Sequence, residues 1–290
     1  MNRSTRTGIY QQLAVIILLV WSVLPLYWSL RLALSLPVEI ATFPPRLFPE
    51  NPTPVSFVTI LGFTYTAPDG DFYLAAGRAA QVIRGLLNSI VVSVVVTLIT
   101  MCVVIPLGYT FGRLNFRHKN TLFFALLFSV ALPPISVTIP FYVLYLQLGL
   151  TGTRIGLVLV TLIITIPLIT WMMMGYFQGI PKIERLARVD GFSRMGTLIK
   201  IILPMSKTGI MVGAIIAFLF AWNEFTFSQI LVNGTPATTI PPVISGFLFM
   251  HPEVPSLLAT VFYSLVPPFA VAYLLQRHIT KMNIVETIMG

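Results

Sequence analysis

Charge is what this sequence has least of. Only 9% of its 290 residues are Asp, Glu, Lys or Arg, whereas a soluble domain carries about a quarter. With 56% hydrophobic residues, that shortage excludes a water-soluble globular fold, because so much apolar surface needs lipid as its solvent. Hydrocarbon offers no partner to free backbone N–H and C=O groups, so the chain must cross as helices or as a closed barrel. The alternation of barrel strands is missing and long unbroken apolar runs stand instead, which leaves an all-α polytopic membrane protein. Cysteine is nearly absent as well. A single Cys102 excludes an intrachain disulfide and a thiolate metal cluster, and within its apolar run it reads as a small helix-packing residue. His118, His251 and His278 fall near span ends without ligand spacing, so no metal site is expected. No G-x-x-x-x-G-K-[ST] loop is present to hold nucleotide phosphates. Paired carboxylates within the apolar runs, H-E-x-x-H and a nucleophile with a base are missing too, which argues against an intramembrane enzyme. The buried ionisable residues and internal repeats of an ion-coupled secondary transporter are not evident. A net charge of +9 could signal nucleic acid, but the basic residues are scattered in short groups between apolar runs, the pattern of membrane topology.

About 20 apolar residues cross a bilayer core. Six segments meet that length: Gln12 to Leu34, Leu86 to Gly112, Leu122 to Leu146, Ile155 to Phe177, Ile210 to Leu231 and Ser256 to Gln276. The first follows Arg3 and Arg6 like a signal peptide, but its apolar stretch is too long, and Trp21, Tyr27 and Trp28 suit an interface anchor. Positively charged loops stay in the cytoplasm. Alternate sides of the six spans carry 13 and 5 Lys and Arg residues, which predicts that both termini and the loop between spans four and five are cytoplasmic. The chain then divides into 1–85, the first span with a proline-rich external loop, 86–278, the transmembrane core, and 279–290, a cytoplasmic tail. Seven prolines between Pro37 and Pro68 predict an extended, turn-rich loop with at most a short helix near Phe72 to Ile83. Internal prolines such as Pro106, Pro133, Pro134 and Pro167 predict kinks within the spans.

The longest and most charged interruption on the cytoplasmic side is IPKIERLARVDGFSRMGTLIKIILPMSK, from Ile180 to Lys207. Ile183, Leu186 and Ala187 followed by Asp190 and Gly191 read as a short amphipathic helix ended by glycine. Ser193 is a candidate N-cap for a second helix, with Met195, Leu198, Ile199 and Ile202 at helical spacing and Pro204 stopping it or starting the next span. The pair could dock a soluble partner or lie in the headgroups with Lys and Arg reaching lipid phosphate.

These residues resemble the membrane-spanning permease subunits of binding-protein-dependent ATP-binding-cassette (ABC) importers, in the carbohydrate group related to the maltose permeases. Their signature runs E-A-A, three residues, G, then about nine residues to I-x-L-P. Gly191, Ile201 to Pro204, Asp190, Ile180 and Pro181 match it. The head departs: Arg185, Leu186 and Ala187 fall in the E-A-A positions, with Glu184 one place early. Asn88 and Ser89, then Gly108, Tyr109 and Arg113, then IPFYVLYLQLGLTGTRIGLVL from Ile139 to Leu159, and Trp222 to Phe225 extend the likeness over roughly Leu87 to Gln276. The tail beyond Ile279 departs from the group's Gly-rich ending. The resemblance implies the type I ABC importer fold and a partnership with a second homologous permease subunit, two ATP-binding subunits and an extracytoplasmic solute-binding protein. It also implies that ATP and Mg sit on the ATPase partners, with no cofactor in this chain. The loop then docks the ATPase: Leu186, Ala187 and Leu203 pack, Gly191 makes the turn, Pro204 closes the motif, and Glu184 or Arg185 makes the charged contact. The solute is expected to be a sugar or sugar derivative, with glycerol phosphate, polyamine or another solute as alternatives.

Two further groups are candidates. Asn223 and Glu224 lie in span five, where an ionisable residue is costly unless it meets water or a partner. They either line the pathway, bonding solute hydroxyls, or serve as an interfacial or helix-bonding pair. The external segment Val232 to Pro255 carries Asn233, Gly234, Thr238 and Thr239. By resemblance it meets the solute-binding protein, and it otherwise reads as a surface linker.

Overall fold

Nearly all the apolar runs form helices in the computed structural model, which describes residues 3–249 and 253–279. Among the described residues five helices are long and apolar enough to cross a membrane, and they become six if a bent helix pair is counted as one span. In chain order the elements are α1 (Arg3–Ala33), α2 (Pro37–Ile40), α3 (Val55–Thr59), strands β1 (Tyr65–Thr66) and β2 (Phe72–Tyr73), α4 (Ala79–Arg113), α5 (Lys119–Ala131), α6 (Pro134–Gln147) and α7 (Arg154–Gly179). There follow α8 (Glu184–Val189), α9 (Arg194–Thr197), a π-helical turn (Leu198–Ile202), α10 (Leu203–Met205), α11 (Lys207–Trp222), α12 (Thr226–Leu231), α13 (Ile240–Phe249) and α14 (Val254–Ile279). Past Ile279 the expected tail lies outside the described residues, as do His251 and Lys281.

Three expectations are corrected. The third span is not one kinked helix: α5 and α6 meet at 90° around Leu132 and Pro133. Two consecutive prolines explain the break, since each lacks an N–H and each forces its predecessor out of the α region, and Leu132 has ψ 126° accordingly. Phe72 and Tyr73 do not begin a helix but pair antiparallel with Tyr65 and Thr66, joined through the Pro68–Asp69–Gly70 turn. Aromatic residues flanking such a turn fit a hairpin. The segment after Val232 is not all loop, because α13 begins at Ile240 with Pro241 and Pro242 in its first turn, where a missing N–H costs no helix bond.

The described residues form two compact groupings, 3–83 with 244–249 and 253–263, and 84–243 with 264–279. In the first, α1 buries nothing against the rest of the chain across its apolar window. Ile60 and Val82 are fully buried, the Phe57 ring meets Phe262 and Tyr263, and Arg78 stacks over Phe247 at 5.2 Å.

In the second grouping α7 is the spine. Its first half supplies Leu157, Val160 and Leu162 to an apolar core with Val92, Val96, Phe227 and Leu231. Its second half supplies Ile169, Met173 and Phe177 to another with Met101, Val104, Tyr109 and Ala217. A hydroxyl rung between Thr100 and Thr165, 3.0 Å apart, bonds α4 to α7 inside the protein. Between apolar helices in lipid, close packing replaces the hydrophobic drive, and small residues spaced four apart allow it. Gly108 and Gly112 of α4 face Met173, Met174 and Phe177, while Gly209 and Gly213 of α11 face Tyr176, Met172 and Met173. A Cβ at Gly108 would stand 2.9 Å from the Met173 Cβ, and one at Gly209 only 2.5 Å from the Tyr176 ring. Cys102, by contrast, is exposed on the outer side of α4 rather than packed between helices.

Gly108→Val is therefore expected to force α4 off α7 and cost about 1–3 kcal/mol, read as a lowered unfolding midpoint in detergent. Gly175→Ala serves as the control, because its Cβ would meet nothing within 4 Å. Equal midpoints for both variants would show that the close approach does not hold the bundle.

Candidate functional site

The segment after α7 is built by local chemistry. α8 ends in a Schellman motif: the Phe192 N–H donates to the Ala187 carbonyl at 2.9 Å and the Gly191 N–H to Arg188 at 3.1 Å. Gly191 takes φ +82° to make this possible, a conformation that a side chain resists. Ser193 then caps α9, its hydroxyl accepting from the Gly196 N–H at 3.0 Å. The expected pair of helices with a glycine turn and a serine cap is present. The second is not a plain α-helix, since a π turn carries Leu198 and Ile202 inward and leaves Ile199 and Met195 exposed. Ile180, Ile183 and Leu203 pack against the core that holds Met173 and Phe177. The helix pair is thus seated on the end of the bundle.

What fastens it is Arg113, in the last turn of α4. Its guanidinium forks onto the Glu184 carboxylate, Nε to Oε1 at 2.6 Å and Nη2 to Oε2 at 3.0 Å. Nη1 donates to the carbonyls of Phe177 at 3.2 Å and Ile180 at 2.6 Å, and Nη2 to that of Pro181 at 2.7 Å. All the donor directions of a guanidinium are thereby used. The arginine side chain is 3% exposed and that of Glu184 21%. Planar bidentate geometry and low exposure make this a stronger pair than a surface bridge. It also donates to carbonyls at and just past the C-terminus of α7, where the helix dipole favours a cation. One side chain thus joins the end of α4, the end of α7 and the head of α8.

The sequence candidates separate around this clamp. Glu184 faces inward onto Arg113, and Ala187 is 2% exposed within the chain. Arg185, Leu186, Arg188, Val189, Asp190 and Gly191 are exposed, and Leu203 and Pro204 continue the π turn as α10. Between α8 and the exit of α4 lies an open cleft of about 830 Å³, lined among others by Asn115, Gln178, Lys182, Arg185 and Arg188. Arg113 had entered only as part of a span-exit pattern. Its partner is 71 residues away, so no local spacing points to the pair. The one available signal was an arginine ending an apolar run directly after a Gly-x-x-x-Gly, Gly108 to Gly112.

At the far end of the same grouping, Glu224 bridges the break between α11 and α12. Its two carboxylate oxygens accept from the N–H groups of Phe227 and Ser228, each at 2.8 Å. This caps α12 and lowers the cost of an acidic residue at that depth. Asn223 is exposed and donates to the Leu219 carbonyl at 2.8 Å. Asn233 and Gly234 are exposed on the next turn. Thr238 and Thr239 are not free: the Thr238 hydroxyl bonds within its turn, and that of Thr239 meets the Ser228 hydroxyl. Asn88 and Ser89 of α4 hold this turn. The Asn88 amide donates to the carbonyls of Pro236 at 2.9 Å and Thr238 at 2.7 Å, and the Ser89 hydroxyl accepts from the Ile240 N–H at 2.9 Å.

Known proteins resemble this chain. Residues 104–282 match the family described as binding-protein-dependent transport system inner membrane component. The trehalose/maltose transport system permease protein MalG of Thermococcus litoralis is 32% identical over 68% of this chain and 72% of its own length. The sulfoquinovosyl glycerol transport system permease protein SmoH of Agrobacterium fabrum is 26% identical over 80% of this chain and 75% of its own. A chain in the crystal structure of a bacterial ABC transporter involved in import of the acidic polysaccharide alginate superposes with a TM-score of 0.72, covering 96% of this chain and 98% of that one at 17% identity, which is a likeness of fold. With its family match covering both the Arg113 clamp and the helix pair it holds, the chain belongs to the inner membrane components of binding-protein-dependent transport systems, as a multi-pass permease subunit.

Proposed function

We propose that this chain forms half of the translocation pathway of an ATP-driven importer for a sugar or sugar derivative. It pairs with a second homologous permease subunit, receives solute from an extracytoplasmic binding protein, and is driven by two ATP-binding subunits that carry ATP and Mg. The relatives named for trehalose, maltose and sulfoquinovosyl glycerol support the solute class. The Lys and Arg distribution supports cytoplasmic termini and a cytoplasmic helix pair at 184–205.

The observation that carries the proposal is the Arg113 clamp. An uphill importer whose permease lacks a phosphate-binding loop must receive its energy through contact with another subunit. A short helix pair fastened to the ends of α4 and α7 and continuous with α11 is a rigid lever for such a contact, suited to motion between two discrete states. Exposed Leu186 with Gly191 forms the docking knob, and the exposed turn at Asn233 and Gly234 is the contact offered to the binding protein. Glu224 shapes span five as a cap.

The test is reconstitution of the whole transporter in vesicles. A sugar-loaded binding protein is expected to stimulate ATP hydrolysis and uptake together, and Gly191→Trp is expected to abolish both responses by blocking the seat of the helix pair. Intact stimulation in that variant would overturn the docking role. Arg113→Ala leaves the Glu184 carboxylate and the Ile180 carbonyl without their donor and takes one of two donors from the carbonyls of Phe177 and Pro181, an expected loss of about 3 kcal/mol. It should reduce uptake more than tenfold while ATP hydrolysis becomes independent of the binding protein, with Arg113→Lys intermediate because it keeps the charge and loses the fork. Normal uptake by Arg113→Ala would contradict the lever.

A further inference from the structure

The clamp has an electrostatic consequence for the docking surface, and the inference drawn here rests on the docking reading above. Because Arg113 takes both oxygens of Glu184, the first helix of the pair offers no free carboxylate along its length. Its outward side carries Arg185, Arg188, Leu186 and Val189, all exposed, with Ile183 and Ala187 turned inward. Leu186 and Val189 are 66% and 85% exposed, an amount of bare aliphatic surface that needs a cover. Lys182 precedes the helix and Arg194 follows it, and Asp190 is the only exposed acid among them. The cleft beside the helix is lined by Lys182, Arg185 and Arg188 together with the amides of Asn115 and Gln178. Within it the two remaining charges, those of Arg113 and Glu184, neutralise each other.

We infer that α8 docks on its ATP-binding subunit through a cationic rim and an apolar centre, and that the partner inserts acidic side chains into the cleft between α8 and the exit of α4. The sign is set from within this chain, by the burial of its glutamate on Arg113. A headgroup-bound helix would separate its apolar side from its cationic side. Here both lie on the same outward arc, the composition of a protein interface in which arginine is enriched and aliphatic side chains are covered. Charge complementarity of this kind governs association and makes it salt-dependent.

The experiment uses the complete transporter in detergent free of anionic lipid, with retention of the ATP-binding subunit measured across a salt series. Wild type is expected to lose affinity as salt rises. Arg185→Glu with Arg188→Glu is expected to weaken retention about tenfold or more at low salt and to flatten the salt dependence. Replacing acidic residues of the ATP-binding subunit by lysine is expected to restore retention to that double variant. Salt-insensitive binding of wild type, or unchanged retention of the double variant, would overturn the inference; in the latter case the arginines face lipid or water. Gly191→Trp run in parallel separates the two readings. If it releases the ATP-binding subunit while the charge reversal does not, the docking role stands and the electrostatic inference falls. If neither variant releases the subunit, both fall.

Discussion

A guanidinium at the end of a membrane helix, hydrogen-bonded to one carboxylate and three carbonyls, holds together the end of the helix bundle on which the helix pair sits. Arg113 sits where α4 leaves the bundle, and the groups it bonds belong to the end of α7 and the head of α8. Those carbonyls are open to a side-chain donor for a physical reason. A helix that stops leaves its last carbonyls without intrahelical partners, and the break at Ile180 and Pro181 follows directly. An arginine is suited to the task because its donors are fixed in a plane and its charge is permanent. Lysine would offer a point charge to the carboxylate and leave the carbonyls to water.

The clamp works only because the helices it joins approach closely. Gly108 and Gly112 bring α4 against α7, and Gly209 and Gly213 bring α11 against the same Met172–Phe177 stretch. The π turn at Leu198–Ile202 and the short α10 then lead from the helix pair into α11 without a flexible linker. Sequence, packing and proposed function are linked in that order: glycine spacing sets the helix approach, the approach positions Arg113, and Arg113 positions the docking helix. At the opposite end the same logic recurs with weaker groups, where Asn88 and Ser89 hold the turn that presents Asn233 and Gly234.

Features governed by local rules were legible in the sequence. Apolar length announced the spans, Gly191 announced a left-handed turn, and Ser193 announced a cap. Features set by long-range geometry were not. Pro133 and Pro134 promised a kink, but the 90° bend depends on what α5 and α6 each pack against. Pro241 and Pro242 lie in the segment that reads as a surface linker, yet they open α13, because proline is compatible both with a loop and with the first turn of a helix. Met195, Leu198, Ile199 and Ile202 looked like one apolar face, and the π turn divides them into a buried pair and an exposed pair. Glu184 stands one position early against the family pattern; its contact with Arg113 gives that position a structural reason which no spacing rule contains.

The central claim, that the α8 helix is the contact through which an ATP-binding subunit drives this permease, can be tested without disturbing the fold. A photo-crosslinking side chain placed at Leu186, which is exposed, should report its neighbour in the assembled transporter in a bilayer. The account expects an adduct with the ATP-binding subunit whose yield changes between nucleotide-free and ATP-trapped states. Adducts only with lipid, or none in either state, would contradict it.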